Sequence, residues 1–491
     1  MRRCLVILLC AVAFPGTAAA APVLVLGPHG RVHERNDRFL SAIATTPVPA
    51  SGGPAQARVA VNALRAHRPP KHKRRPGPVT VKSVLSRLRG HHRISTAQYR
   101  RTLGAFNAAL KAERHLGGIR RSELAAVTVT IHDLAAGGTL TPARLAEVVA
   151  TLDANRTWWT KGSLPAADQR IEFAGSQLVW EYYPGQGLQL QVLGTFGKAD
   201  GLYTAGPSHY PAMEQLLSEM IPLASRRGGG LTWEYLFSFD GGAPPWTSAM
   251  SQATGLEALS RAYEATGDRG YLRTASRALA IFKKPPPVGV AVPTPRGIRF
   301  LQYTFAPSVS IINAFLQTLI GLHDYGQVSH NATARALFAK GNAEAMAEVP
   351  RFNTGAWSLY QPGVEDDLSY HELVTGFLQQ LCAITRAPVY CRTARAFAAD
   401  LKTPPTLADL TPTAKPHTSF ALRFRLSKVS HVGIVITRGD GTVFSTSATF
   451  GYGVRQFTVP GLKAGSYGVR LAATDLAGNF ARIGATLTVA R

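Results

Sequence analysis

Ser248-Ala249-Met250-Ser251-Gln252-Ala253-Thr254-Gly255-Leu256-Glu257-Ala258-Leu259-Ser260-Arg261-Ala262-Tyr263-Glu264-Ala265-Thr266-Gly267-Asp268 reads as one helix, its stop and the start of the next. Leu256, Leu259, Ala262 and Tyr263 recur at helical spacing and define one apolar face. Gly267 suits the left-handed residue that closes a helix, and Asp268 suits the cap of its successor. That successor spans Tyr271 to Phe282, with Leu272, Ala275, Leu279 and Phe282 on one side. Ser310 to Tyr325 repeats the pattern through Ile311, Ile312, Phe315, Leu316, Leu319 and Leu322. Thr333–Glu348, Leu368–Thr385 and Tyr390–Leu401 complete the series. Successive helical hairpins over 205–402 predict an α/α toroid with its chemistry in the loops, and an open helical solenoid is the alternative.

On the N-terminal side, residues 166–204 change period. Arg170–Phe173 and Gln177–Tyr183 alternate as strands do, and Leu188–Phe196 is expected to extend this β section. Residues 96–165 read as helical, with helices from Thr96 toward His115, from Arg121 to Ala136, and from Thr141-Pro142 toward Asn155. Residues 22–95, rich in Pro, Arg, Ala and His, are expected to form a basic linker without regular structure. Met1-Arg2-Arg3, the apolar run Leu5–Phe14 and the small residues Gly16–Ala20 predict a cleavable export signal over 1–21. That run is shorter than the roughly 20 residues that span a bilayer.

On the C-terminal side, the prolines of 403–416 read as a second linker. Residues 417–491 alternate as strands at Phe420–Leu426, Val432–Ile436 and Ser466–Leu471, with a hairpin turn at Arg438–Gly441. They resemble the immunoglobulin-like β-sandwiches appended to secreted bacterial enzymes, and nothing in them carries chemistry. The predicted fold class is therefore multidomain α+β: a central toroid, a β section before it and a sandwich after it.

The formal net charge is +25, and Arg65–Arg101 holds twelve Lys or Arg and no acid, including Lys71-His72-Lys73-Arg74-Arg75. Export and the single aromatic, Tyr99, argue against nucleic acid; a solvated linker with loose attachment to an anionic cell-wall polymer or lipid surface fits better. Beyond the export signal only Cys382 and Cys391 remain. They flank Ala387-Pro388 at a helix boundary, and a disulfide fits them better than a metal site, for no His or second Cys pair stands at zinc-like spacing. The fourteen His show no ligand spacing either, so neither metal nor other cofactor is expected.

Three loops of the helical region combine aromatic and polar residues: Trp233 to Met250, Arg299 to Tyr303, and Phe352 to Tyr360 with Tyr370-His371-Glu372. Aromatic platforms with scattered hydrogen-bonding groups hold sugar rings, although each ring by itself could equally fill a core. These residues also carry a resemblance. Pro245-Trp246-Thr247-Ser248-Ala249-Met250-Ser251-Gln252, Gln302-Tyr303 with Ile320-Gly321-Leu322-His323-Asp324, Asn353-Thr354-Gly355-Ala356-Trp357-Ser358-Leu359-Tyr360, and Tyr370-His371 resemble, in order, four motifs of the D-glucuronyl C5-epimerases.

The resemblance implies removal of the C5 proton of a glucuronate within a polysaccharide and its return on the opposite face, giving iduronate. It implies acid and base roles for Tyr303, Tyr360 and Tyr370, with Trp246, Gln302, Asn353, Trp357 and His371 around the sugar. Abstraction beside a carboxylate builds negative charge that cations must offset, and a phenol of ordinary pKa near 10 needs positive charge nearby to act as a base. Two features depart from the family. Gln302 stands where the family has a glutamate, and Gln361-Pro362-Gly363-Val364 replaces a segment bearing an arginine. Arg299, Arg351 and Lys198 are the cations that could substitute. Glu234, Asp240, Glu365, Asp366 and Glu372 leave open a glycoside hydrolase with paired carboxylates, a uronate lyase shares the first proton abstraction, and Gln302 is the feature that favours a non-catalytic sugar-binding protein. The expected partner in each case is an anionic, uronate-containing polysaccharide outside the cell.

Overall fold

The computed structural model describes residues 20–41, 79–408, 410 and 413–490. Most of the predicted export signal, and the basic run Lys71–Arg75, lie outside the described residues. Those that are described build a mixed α and β molecule with twelve α-helices: α1 (Val81–Gly90), α2 (Thr96–His115), α3 (Gly118–Ala136), α4 (Leu145–Lys161), α5 (Val192–Thr204), α6 (Tyr210–Met220), α7 (Ala249–Thr266), α8 (Arg269–Ala278), α9 (Ile312–Val328), α10 (Ala332–Glu348), α11 (Leu368–Thr385) and α12 (Pro388–Asp400).

The expectation of an unstructured 22–95 is overturned at both ends. Ala20–Leu26 (β1) and Val32–Ser41 (β2) pair antiparallel, and β1 lies parallel to Arg170–Phe173 (β3), with Val23 opposite Arg170. Trp180–Tyr183 (β4) and Gly187–Leu190 (β5) complete a sheet of order β2-β1-β3-β4-β5. Four apolar residues, Val23 to Leu26, are too few to show a period, and their burial comes from partners about 150 residues away in the chain. At the other end, α1 opens with a reciprocal capping box between Thr80 and Ser83 and buries Val81, Val84 and Leu85.

A second correction concerns Leu188–Phe196. The strand ends at Leu190, and α5 begins at Val192 with the Gln191 side chain accepting from the Gly194 amide. Within α5, Gly201 is where the helix meets the backbone of Phe39 on β2.

The two central helices are α7 and α9. Their sequences read as one-sided stripes, yet α7 is buried without interruption from Ala249 to Ser260, and α9 from Ile312 to Leu322. Helices buried on every side belong in the middle of a domain. They cross closely because small residues face each other, and a side-chain carbon at Gly321 would fall 2.3 Å from the Ala253 carbonyl oxygen. Gly267 ends α7 in the left-handed conformation at φ +74°, and Asp268 caps α8 through the Gly270 amide. Cys382 and Cys391 form a disulfide that ties α11 to α12.

The 403–416 linker is a correction too. Leu407–Ala408 joins a three-stranded sheet with Phe420–Leu426 and Gly453–Val459. Thr413–Ala414 joins a five-stranded sheet with Phe480–Val489, Gly465–Asp475, Ser430–Arg438 and Gly441–Phe450. Both sheets turn alternate residues, including Leu422, Phe424, Ile434, Val469 and Leu487, into one apolar core. Pro404 and Pro405 precede the first of these strands and Pro416 follows the second, so Pro content alone misread a segment that feeds both sheets.

Candidate active site

Three chain segments converge on one group of tyrosines. Tyr303 follows the short strand Ile298–Phe300 and is held against the start of α7, where the Ala249 amide donates to the Leu301 carbonyl and the Thr247 amide to the Thr304 hydroxyl. Tyr360 lies on a two-strand hairpin, Leu359–Gln361 with Val364–Glu365. Pro362 and Gly363, the latter at φ +85°, make its tight turn. Tyr370 is in the first turn of α11, whose N-cap Asp367 accepts from the Tyr370 amide at 2.9 Å. The Tyr360 and Tyr370 rings meet edge to face at 5.4 Å, and Tyr303 lies near enough to shift the titration of both.

Aromatic neighbours wall the group. Tyr303 stacks on Phe305 at 5.2 Å and meets Trp246 edge-on at 5.7 Å and Phe239 at 5.6 Å. Trp246 stacks on Tyr235 at 4.2 Å and donates its indole N–H to the Phe237 carbonyl. A tight turn, Phe239-Asp240-Gly241-Gly242, passes over them; Asp240 (φ +44°) and Gly241 (φ +80°) are both left-handed, as a two-residue hairpin turn requires. The tyrosines are 7%, 7% and 4% exposed, so only ring edges meet solvent in this conformation.

Burial raises all three phenols. Tyr303 is pushed up to about 12, with Asp240 adding to the rise, while hydrogen bonds from Tyr360 and Gln302 pull it back. Burial, then Tyr303 and Tyr370, lift Tyr360 well above its ordinary value. Burial, then Tyr303 and the carboxylates of Asp367, Asp366 and Glu181, do the same to Tyr370. Of the three, Tyr303 is the phenol whose ionised form receives hydrogen bonds.

The β1–β5 sheet closes another side, which the sequence reading missed. On β4, Tyr182 packs on Trp159 of α4, while Glu181 and Tyr183 point the other way. Tyr183 packs on Phe237, and Gln191 bonds both its hydroxyl (3.0 Å) and Glu181 (3.4 Å). Arg170, opposite Glu181 in the β3–β4 pair, brings its guanidinium to 3.6 Å from that carboxylate. Strand alternation in Trp180-Glu181-Tyr182-Tyr183 was the available signal, since it places Glu181 and Tyr183 on one face.

The other expected site residues sit elsewhere. Gln302 accepts from the Ser248 hydroxyl at 3.0 Å beside Tyr303. Lys198 is buried between Glu172 (2.7 Å) and Asp37 (3.5 Å), away from the tyrosines. Arg299 is spent on Glu348 and Glu344 of α10, and Arg351 is exposed. Asn353 closes an Asx turn on the Gly355 amide. Trp357 is fully buried, stacked on His371 at 3.7 Å, with its N–H on the Asp366 carbonyl. His371 is buried as well; it donates from Nε2 to the Phe397 carbonyl and accepts at Nδ1 from Ser358, and burial lowers its pKa to about 4. Trp357 and His371 therefore hold the hairpin to α11 and α12 and do not reach a sugar.

Three of the five carboxylates considered for hydrolysis are held by ion pairs or hydrogen bonds, while Asp240 is exposed on its turn. Glu234 is locked by Arg144 (2.7 Å), Arg227 (2.5 Å) and Ser225. Glu365 accepts two backbone amides, Asp366 accepts from Ser358 at 2.5 Å, and Glu372 is exposed on α11. Among the described residues no group of three or more His, Cys, Asp or Glu could hold a metal, and no helix is long and apolar enough to cross a membrane.

Residues 228–399 match the family described as D-glucuronyl C5-epimerase C-terminus. A D-glucuronyl C5-epimerase of Caenorhabditis elegans is 29% identical over 172 residues, covering 31% of this chain and 28% of that protein. An uncharacterized protein of Methanocaldococcus jannaschii is 30% identical over 138 residues, covering 26% of this chain and 44% of its own. The chain thus spans less than half the length of either curated relative.

Proposed function

We propose that this chain, whose residues 228–399 belong to the D-glucuronyl C5-epimerase C-terminal family, acts as an exported isomerase that inverts C5 of uronate residues in an anionic polysaccharide. The observation that carries the reading is the convergence of Tyr303, Tyr360 and Tyr370 from three separate segments onto one group whose phenols influence one another, two of them packed edge to face. Breaking the C5–H bond moves an electron pair onto the adjacent carboxylate, and a proton then returns to C5 from the opposite face. Two phenols on either side of the sugar supply that pair of transfers.

The electrostatics favour one division of roles. Tyr303, supported by the Tyr360 hydroxyl and the Gln302 amide, is the base. Tyr360 and Tyr370, kept protonated by burial and by nearby carboxylates, are the donors. Gln302 suits this scheme, since a glutamate there would add negative charge beside the Tyr303 phenolate and oppose its formation. Arg170, paired with Glu181 on the sheet, is the candidate cation for the growing carboxylate charge. Access needs the Phe239–Gly242 turn to lift, because the phenols are nearly closed off.

The helical pairs from α5 to α12 are read as an α/α toroid and the two C-terminal sheets as an immunoglobulin-like sandwich. The helical part of the basic segment 65–101, with Lys82, Arg87, Arg89, Arg93, Arg100 and Arg101, suits attachment to anionic wall polymer. The commitments of Glu234, Glu365 and Asp366 favour proton transfer over glycoside hydrolysis. The test is NMR of uronate polysaccharides with the protein in heavy water. Deuterium at C5 together with iduronate supports epimerisation, an unsaturated uronate means a lyase, and binding without exchange means a sugar-binding descendant.

A further inference from the structure

Nothing in the sequence of the C-terminal module carries chemistry, yet its contacts with the helical domain fall on the segments that present two of the three tyrosines. Glu365 ends the hairpin that bears Tyr360. Its two carboxylate oxygens accept from the backbone amides of Val429 (2.8 Å) and Tyr452 (2.7 Å), both in the module. Lys428, beside Val429, is 1% exposed and reaches back across the boundary. Its ammonium donates to the carbonyls of Asp400 (2.6 Å) and Thr403 (2.5 Å) at the end of α12, and pairs with Asp475 at 2.6 Å. A cation at a helix C-terminus meets the negative end of the helix dipole. All three ammonium donors are used, so none is left buried without a partner.

The same ammonium stands 5.2 Å above the Trp357 ring. Trp357 stacks on His371, the neighbour of Tyr370, and donates to the Asp366 carbonyl beside Glu365. His371 in turn bonds Ser358, two residues before Tyr360, and the Phe397 carbonyl of α12. Each end of the Tyr360 hairpin and the first turn of α11 is thus braced through groups that terminate on the module.

We propose that the C-terminal module is an integral part of the reaction centre, with Lys428 and Glu365 as positioning residues that hold the Tyr360 hairpin and the first turn of α11 in register. The proposal rests on the proton-transfer reading above. A module that merely gathered substrate would have no use for a buried lysine under Trp357 or for a carboxylate of the hairpin capping two of its amides.

The test uses the full chain with two variants, Glu365→Gln and the paired Lys428→Met/Asp475→Leu, which removes both charges together and so leaves neither buried alone. The kinetic arm is C5 exchange on the active glycan. We expect kcat to fall at least about tenfold with KM changed by less than about threefold, the signature of misplaced reacting groups rather than weakened binding. The second arm is amide hydrogen exchange. Protection at 358–371 should be lost while α7 and α9 retain theirs.

A rise in KM at constant kcat would make the module a glycan-gathering appendage and overturn the proposal. Wild-type protection at 358–371 in both variants would overturn it as well. If the wild-type protein exchanges no C5 proton on any uronate glycan, the epimerase reading falls, and the hydrogen-exchange arm still decides whether the module holds the hairpin.

Discussion

Tyr360 and Tyr370 come from different secondary structures, a hairpin strand and the first turn of a helix, and their rings meet edge to face at 5.4 Å and 82°. Such a pair is fixed by both backbones at once, so its hydroxyls have little freedom to adjust. Proton transfer depends on that fixity, since a misplacement of about 1 Å costs on the order of a hundredfold.

Replacing either Tyr303 or Tyr370 by Phe removes one proton carrier of the proposed reaction and leaves the ring packing. Deuterium incorporation at C5 should fall by roughly 10²–10⁴-fold. The thermal midpoint should move little, because each ring keeps its apolar contacts. Loss of exchange accompanied by a collapsed midpoint would instead point to a packing role.

Gln302→Glu restores the acid of the related enzymes but places a carboxylate beside Tyr303. If Tyr303 is the base, its pKa rises and the ascending limb of the pH–rate profile, set by ionisation of the base, moves to higher pH. The rate at pH 7 falls about tenfold for each pK unit gained. An unchanged limb would remove Tyr303 from that role.

Asp366 gives a stability prediction whose sign is fixed. Burial raises its pKa to about 7 from the usual 3.8, so the folded state prefers it protonated. Its contribution is complete below the unfolded pKa and is lost as pH rises through 7. Asp366→Asn should therefore gain on wild type between pH 5 and pH 8, by about 2–3 kcal/mol at 1.36 per pK unit. His371, held neutral at about 4, has the opposite slope and is common to both proteins, so it cancels in the difference. Urea denaturation at the two pH values measures this.

Arg144 and Glu234 bridge the first 3₁₀ turn before α4 to the Trp233 loop through two hydrogen bonds, at 2.7 and 3.0 Å. Burial alone would raise Glu234, but Arg144, Ser225 and Arg227 bring it below the usual carboxylate range. Arg144→Met leaves that charge short of a partner in the interior and should cost about 3–5 kcal/mol by denaturant unfolding. A cost below about 1 kcal/mol would mean that Arg227 suffices.

Much of the helical order was legible because its signals are local. Ser248, Gly267 and Asp268 act within one turn of where they stand, and α11 spans Leu368–Thr385 as its pattern indicates. What was illegible depends on distant partners. Val23 and Val25 are strand residues because β3 lies beside them, and α5 is helical despite three glycines because β2 needs close approach at Gly201. The tyrosines could be named from motifs. Trp357 and His371 share those motifs yet face inward, since a motif records which residues recur and not which way they point. Arg170 and Glu181 belong to no motif and reach the site only through sheet pairing.

The pairing of β1 with β3 also has a consequence for how the chain acquires its shape. Val23 must find Arg170, 147 positions further along the chain, and the Lys198–Glu172–Asp37 ion cluster that locks the sheet draws on equally remote segments. Closing so long a loop is entropically expensive and slow. The early strands therefore wait, exposed, until the sheet that walls the tyrosines has been synthesised. Holding factors that shield apolar strand edges during this interval should raise the yield of folded protein more than any stabilising change within the helices.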